Sequence, residues 1–156
     1  MANSIVASVD PVTGRVGART DDGRAIEMEA DGRGAPSPVE TLLASLAGCT
    51  AMDVVSILRK KRQEAVGYEI AIDGDRAEEH PRVFTAIRVE HRVRGIVEPE
   101  ALRRSIELSA TQYCPVNAML SATARIEHRY RLVDEDGREH AAVVAVIGPG
   151  GRGVPA

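Results

Sequence analysis

An α+β fold is what this sequence predicts, and three observations predict it. A capping box opens a long apolar helix after residue 37, residues 83–93 alternate with Arg88, Glu90 and Arg92 on the wet side, and helical spacing returns after Pro99.

The first thirty residues read as a small antiparallel sheet. Residues 4–9 are β-branched and half apolar. Gly14, Gly17 and the run Asp21, Asp22, Gly23 are turn signals, and residues 25–28 suit a closing strand. Residues 31–36 form a Gly/Pro-rich loop. The helix that follows has Ser37 as N-cap, Pro38 at N1, where a missing N–H does no harm, and Glu40 at N3. From 39 to 58 nearly every position is apolar or small, which predicts a helix buried all round. Cations at 59–62 close it where the helix dipole favours them, as a solvated helix end.

Two strands come next. Tyr68, Ile70 and Ile72 alternate with Glu69, Ala71 and Asp73. After a polar turn at 78–81, Val83, Thr85, Ile87, Val89, His91 and Val93 share one face, with Arg88, Glu90 and Arg92 on the other. Pro99 opens a second helix carrying Leu102, Ile106 and Ala110 at helical spacing. That helix must break at Tyr113-Cys114-Pro115, because proline disfavours helical geometry in the residue before it. A short third helix restarts at Pro115 and leaves Cys114 at its N-cap. Residues 124–133 alternate as a strand, 141–147 suit one more, and 148–156 read as a flexible tail. Residues 1–147 thus form a single domain, with no internal repeat.

Composition narrows the function classes. The net charge is −3 and aromatics are 3%, so the core rests on Val, Ile, Leu, Ala and Met. Neither a basic stripe nor stacking aromatics point to nucleic acid. Residues 1–10 lack the basic start and apolar run of a signal peptide. The apolar stretch at 42–52 is too short and interrupted to cross a bilayer. The expectation is a cytoplasmic protein without membrane, metal or cofactor. In a reducing compartment its two cysteines are either inert core thiols or a working pair, not a permanent staple.

Cys49 lies mid-helix among small residues, with Asp53 one turn later. A thiol alone in an apolar helix has a raised pKa, and an adjacent carboxylate raises it further, so a cation must reach Cys49 if it is to react. It reads equally as a structural cysteine. Cys114, at a helix N-terminus, is locally the better candidate for a low-pKa thiol, or else fills the cap for packing. The two form no CxxC motif, and whether they meet is a question about the fold. An ionised Asp53 in an apolar helix needs a partner; an arginine across a subunit interface is the favoured one, and a place in the active site is the alternative. His91 and His128 lie on the apolar faces of strands, as core histidines do. No two histidines stand at metal-ligand spacing, two cysteines alone make no zinc site, and the Gly-rich tail lacks a phosphate-loop ending.

The segments Ser37-Pro38-Val39-Glu40, Leu46-Ala47-Gly48-Cys49 and Tyr113-Cys114-Pro115-Val116 resemble the OsmC/Ohr family of osmotically inducible and organic hydroperoxide resistance proteins. Met52-Asp53-Val54-Val55 and Pro81-Arg82-Val83-Phe84-Thr85 look like an OsmC-like branch, and the resemblance spans residues 4–133. It implies an intertwined homodimer, with antiparallel sheets around long central helices and active sites between subunits. It further implies a thiol peroxidase acting on organic hydroperoxides. Cys49 would attack the peroxide, Cys114 would resolve the sulfenate as a disulfide, and a dithiol, in this family a lipoyl protein, would reduce it. The family also uses an arginine to hold the thiolate and a glutamate to hold the arginine. Arg15, following Gly14, is the nearest match, with Arg19 a competitor, and Glu40 matches the glutamate. The alternatives are a non-catalytic dimer binding a small ligand, or a redox sensor.

Overall fold

The computed structural model describes residues 3–30, 33–151 and 153. Asp31 and Gly32 of the expected loop, and residues 152 and 154–156 of the expected tail, lie outside the described residues. The chain divides into two compact units, residues 1–44 and 45–156, each taken by itself here.

The first unit is a three-stranded antiparallel sheet of β1 (Ile5–Val9), β2 (Val16–Thr20) and β3 (Ala25–Met28), in that order. The β1–β2 turn is tied by Asp10, whose Oδ1 accepts from the Val12 N–H at 2.8 Å and whose Oδ2 accepts from the Thr13 hydroxyl at 2.8 Å. Asp side chains favour such turns for this reason. The sheet buries little: Ala18 is covered, while Ile5, Val6, Val9 and Ile26 are exposed. The capping box forms as the sequence predicts. The Ser37 N–H donates to Glu40 Oε2 at 2.7 Å, and the Glu40 N–H reaches back to Ser37 Oγ at 3.3 Å.

That box opens α1 (Pro38–Lys60), which runs on into the second unit. There it is joined by β4 (Glu64–Arg76), β5 (Phe84–Ile96), α2 (Pro99–Leu108), a π-helical turn (Ser109–Tyr113), α3 (Pro115–Leu120), β6 (Arg125–Val133) and β7 (Glu139–Ile147). The sheet order is β4-β5-β6-β7. β5 and β6 run parallel and the other pairs antiparallel, so this sheet is mixed where an all-antiparallel one was expected. The parallel step follows from the connection, since α2, the π turn and α3 carry the chain back across the sheet before β6 starts.

One face of the sheet is charged, with Arg88 against Asp73 and Asp75 and Arg92 against Glu69 and Glu90. The other face holds the core, where Val93, Leu132, Val144 and Ala145 meet Leu102 and Ile106 of α2 and Val54 and Leu58 of α1. The expectation that α1 is buried all round is corrected. Its buried residues are Leu46, Thr50, Val54 and Leu58, a single stripe at four-residue spacing, while Leu42 and Met52 are exposed. Among the described residues of α1 only that stripe is fully buried, while Ala47, Ala51, Val55 and Ile57 are half-buried. By length and composition alone α1 could also cross a membrane, which corrects the reading of residues 42–52 as too short. The remainder of the helix supplies the missing length. Beyond β7, Gly153 pairs with Val146 by hydrogen bonds of 2.9 Å in both directions.

Candidate functional site

Cys49 and Asp53 stand one turn apart on α1, so both side chains leave the same helix face. Cys114 comes from the seam between the π turn and α3. The seam is built by one wide turn: the Cys114 N–H donates to the Ser109 carbonyl, five residues back, at 3.0 Å. Such single-turn π segments recur at functional sites, because the inserted residue re-aims the chain that follows. Pro115 then starts α3 with Cys114 as N-cap in extended geometry, as the sequence predicts, and the cysteine sulfur accepts the Asn117 N–H at 3.3 Å.

The fold brings these three groups together. The Cys49 and Cys114 sulfurs and an Asp53 carboxylate oxygen lie within 4.8 Å of one another. Both cysteines are free thiols, Cys49 half-buried and Cys114 buried. Donors surround the cluster. The Thr50 hydroxyl approaches Cys114 Sγ at 3.8 Å, and the Ser109 hydroxyl donates to Asp53 Oδ2 at 2.8 Å. Asp53 thus lies beside the two thiols, with the Ser109 hydroxyl as its hydrogen-bond donor. Burial, above all, pushes the Cys49 thiol up to about 11. The hydrogen bond to Cys114 and the charges of Cys114 and Asp53 add to that rise, while the Val116 N–H opposes it. The sequence argument that Asp53 raises this thiol is thus met in the fold.

Behind Cys114 runs a buried polar chain. Tyr68 Oη meets His91 Nδ1 at 2.7 Å, His91 Nε2 meets His128 Nδ1 at 3.3 Å, and His128 Nε2 meets Asn117 Oδ1 at 2.9 Å. Asn117 Nδ2 donates to the Ala110 carbonyl at 2.7 Å, which fixes its oxygen toward His128. Every hydrogen then follows: His128 carries its proton on Nε2, His91 on Nε2, and Tyr68 donates. Both histidines are therefore satisfied core residues, as their place on the strands implies.

The other expected site residues lie in the first unit's own contacts. Arg15 pairs with Glu29 at 3.0 Å and with Glu27 at 3.5 Å. Glu40 is held by Ser37 through the capping box, whose N–H and hydroxyl keep its carboxyl below the usual range. Sequence reasoning missed Thr50, Ser109 and Asn117. The available signal for Ser109 was its position three residues after Ile106, where the buried face of α2 continues into the π turn. A cavity of about 490 Å³ lined by Asp53, Ser56, Ile57, Lys60, Leu108 and Tyr113 opens on the Asp53 side of the cluster, and neither cysteine lines it.

Fold and cluster together define a mixed α+β protein with a paired-thiol site. The family model described as OsmC-like protein matches residues 30–129, and the chain belongs to that family. It is 42% identical over 113 residues to Protein YhfA of Escherichia coli (strain K12), a match covering 71% of this chain and 84% of that protein. Among solved structures, a hypothetical protein from Aquifex aeolicus VF5 superposes with TM-score 0.79 at 28% identity, covering 86% of this chain and 98% of the other. The organic hydroperoxide resistance protein OhrB of Bacillus subtilis shares the fold at TM-score 0.60 and 12% identity, covering 83% and 98%.

Proposed function

We propose that this protein is a dithiol hydroperoxide reductase that works in the cytoplasm as a homodimer. The observation that carries the reading is the meeting of Cys49 and Cys114, whose sulfurs lie within 4.8 Å although they are far apart in sequence. A disulfide needs about 2.05 Å between sulfurs, a gap that side-chain rotation and a small shift of the seam at Cys114 would close.

The chemistry balances in three steps. The Cys49 thiolate takes the distal oxygen of ROOH and releases an alkoxide, which leaves as ROH after protonation. The Cys114 thiol condenses with the resulting sulfenic acid, forming the disulfide and expelling water. An external dithiol, the class to which a lipoyl group belongs, then returns both thiols by exchange. Peroxide reaches Cys49 through the cavity beside Asp53 and Tyr113. Cys49 must first ionise against its buried, acidic surroundings, and in this reading Arg15 supplies the charge while Glu40 orients it.

Support for the dimer comes from the apolar surface left bare on one chain. Ile5, Val6, Val9 and Ile26 on the first sheet and Leu42 and Met52 on α1 are all exposed. Exposed apolar residues on the first sheet, and likewise those on α1, mark association surfaces. The test is direct: protein reduced with dithiothreitol or dihydrolipoamide should consume cumene hydroperoxide, and Cys49→Ser should abolish it. Turnover no faster than background from the wild type would refute the enzyme reading.

A redox sensor is the second reading, favoured by the burial of Cys114, which shields the disulfide from an external dithiol. Fast loss of two hydrogens in mass after one equivalent of peroxide, followed by very slow re-reduction by dithiols, would select it.

A further inference from the structure

The surroundings of the two thiols carry a feature that peroxide chemistry does not use. Asp53 sets a carboxylate against both sulfurs, where negative charge opposes the formation of thiolates. The same placement suits a cation. We propose that Cys49, Asp53 and Cys114 form a three-ligand site for a thiophilic divalent metal ion of the zinc class, which competes with the disulfide for the same sulfurs.

Geometry is the first support. Zinc binds sulfur at about 2.3 Å and carboxylate oxygen at about 2.0 Å, so ligand atoms around a tetrahedral ion sit roughly 3.3–3.8 Å apart. The three donor atoms here already lie within 4.8 Å of one another, and small rotations gather them further. The cavity lined by Asp53, Ser56 and Tyr113 leaves a path by which an ion could enter and a side on which a water could complete the shell.

The donor set is the second. Two sulfurs select against magnesium and calcium, while the carboxylate selects for zinc over monovalent copper. Fully ionised, the three ligands carry three negative charges, of which a divalent ion neutralises two.

The supporting contacts are the third. Each ligand is held from behind by groups that donate to it. Cys114 Sγ has the Asn117 N–H at 3.3 Å and the Thr50 hydroxyl at 3.8 Å, and Asp53 has the Ser109 hydroxyl at 2.8 Å. Cys49 has the Val116 N–H. Donors of this kind orient ligands and spread the charge of metal-bound thiolates. Asn117 is in turn fixed by His128 and the Ala110 carbonyl, so the Cys114 side of the site is preorganised.

Binding releases two protons as the thiols become thiolates. Peroxide reverses it: the metal dithiolate, ROOH and two protons yield the disulfide, ROH, water and the free ion. The metal would thus guard the reduced thiols and leave on oxidation. The inference rests on the three-atom geometry and the proposed redox pair only through their shared sulfurs, so the two fail separately.

The experiment uses the full chain, reduced and stripped with a chelator, and titrated with Co²⁺ alone as a spectroscopic probe. The expected result is one equivalent bound, with a thiolate-to-cobalt charge-transfer band and visible bands of tetrahedral intensity. Zn²⁺ should displace the cobalt, and pre-oxidised wild-type protein, its fold verified by circular dichroism, should bind none. Asp53→Asn should weaken binding at least tenfold with the thiols intact. Absence of the charge-transfer band at stoichiometric cobalt, equal binding by the oxidised protein, or unchanged affinity in Asp53→Asn would each overturn the proposal. Peroxide turnover of metal-free protein, assayed in parallel, reports on the reductase alone.

Discussion

His91 and His128 show how single residues fix the chemistry of their neighbours. Both rings are fully buried, and burial holds both below the ordinary histidine value, His128 at about 4. An unfolded chain binds protons on them from about pH 6.5 downward, whereas the folded one leaves His128 neutral until about pH 4. Stability from these residues is therefore complete above about pH 6.5 and is lost as the pH falls through that window, by an amount on the order of 3 kcal/mol for His128. Urea unfolding between pH 7 and 4.5 should show the decline, and His128→Ala should flatten it. That substitution strands Asn117 Oδ1 and His91 Nε2 and should cost roughly 3 kcal/mol at pH 7. A second expectation concerns Cys49. Because its thiol is pushed up to about 11, iodoacetamide should alkylate it in metal-free, reduced protein at a rate still rising above pH 9. A plateau near pH 7 would show that a cation reaches it.

Elements follow local rules where those rules suffice. Ser37, Pro38 and Glu40 announce the start of α1 in the sequence, and the hydrogen bonds of the capping box match them; Ser37→Ala should cost about 1 kcal/mol in thermal or chemical unfolding. β5 was legible from Ile87 onward, since Ile87, Val89, His91 and Val93 alternate and are all buried; Val83 and Thr85, expected on that face, are exposed and Phe84 is buried instead. The N-cap place of Cys114 followed from Pro115 alone. Other features were not legible because they depend on distant partners. Apolar residues on every side of α1 do not reveal which side meets its own sheet, and the parallel pairing of β5 with β6 depends on how the intervening helices pack. The π turn leaves no mark in composition, and nothing local says that Asp53 will meet two sulfurs. Glycine supplies a sharper test. Gly95 adopts φ +139, and a β-carbon there would fall 2.2 Å from the Glu64 carbonyl oxygen. Gly95→Ala should destabilise the β4–β5 pair by on the order of 3 kcal/mol, visible as a lowered urea midpoint.

At the scale of the molecule, one chain leaves much apolar surface without cover. Val6 is 69% exposed and Met52 74%, values suited to residues that meet a second protomer. Sedimentation at micromolar concentration should give a dimer, and Met52→Glu together with Val6→Glu should yield monomers that keep their far-ultraviolet circular dichroism. A wild type that sediments as a monomer would remove the homodimer from the proposed function.

The wide turn at Ser109–Tyr113 has a genetic corollary. It holds one residue more than a plain α-helical continuation would, and that surplus sets the direction in which Cys114 points. Gain of a further codon in this stretch would exceed what one wide turn absorbs and swing the sulfur by about 100°. Such an expansion would leave most of the scaffold foldable while disarming the thiol pair, so insertions here should be far less tolerated in function than in expression.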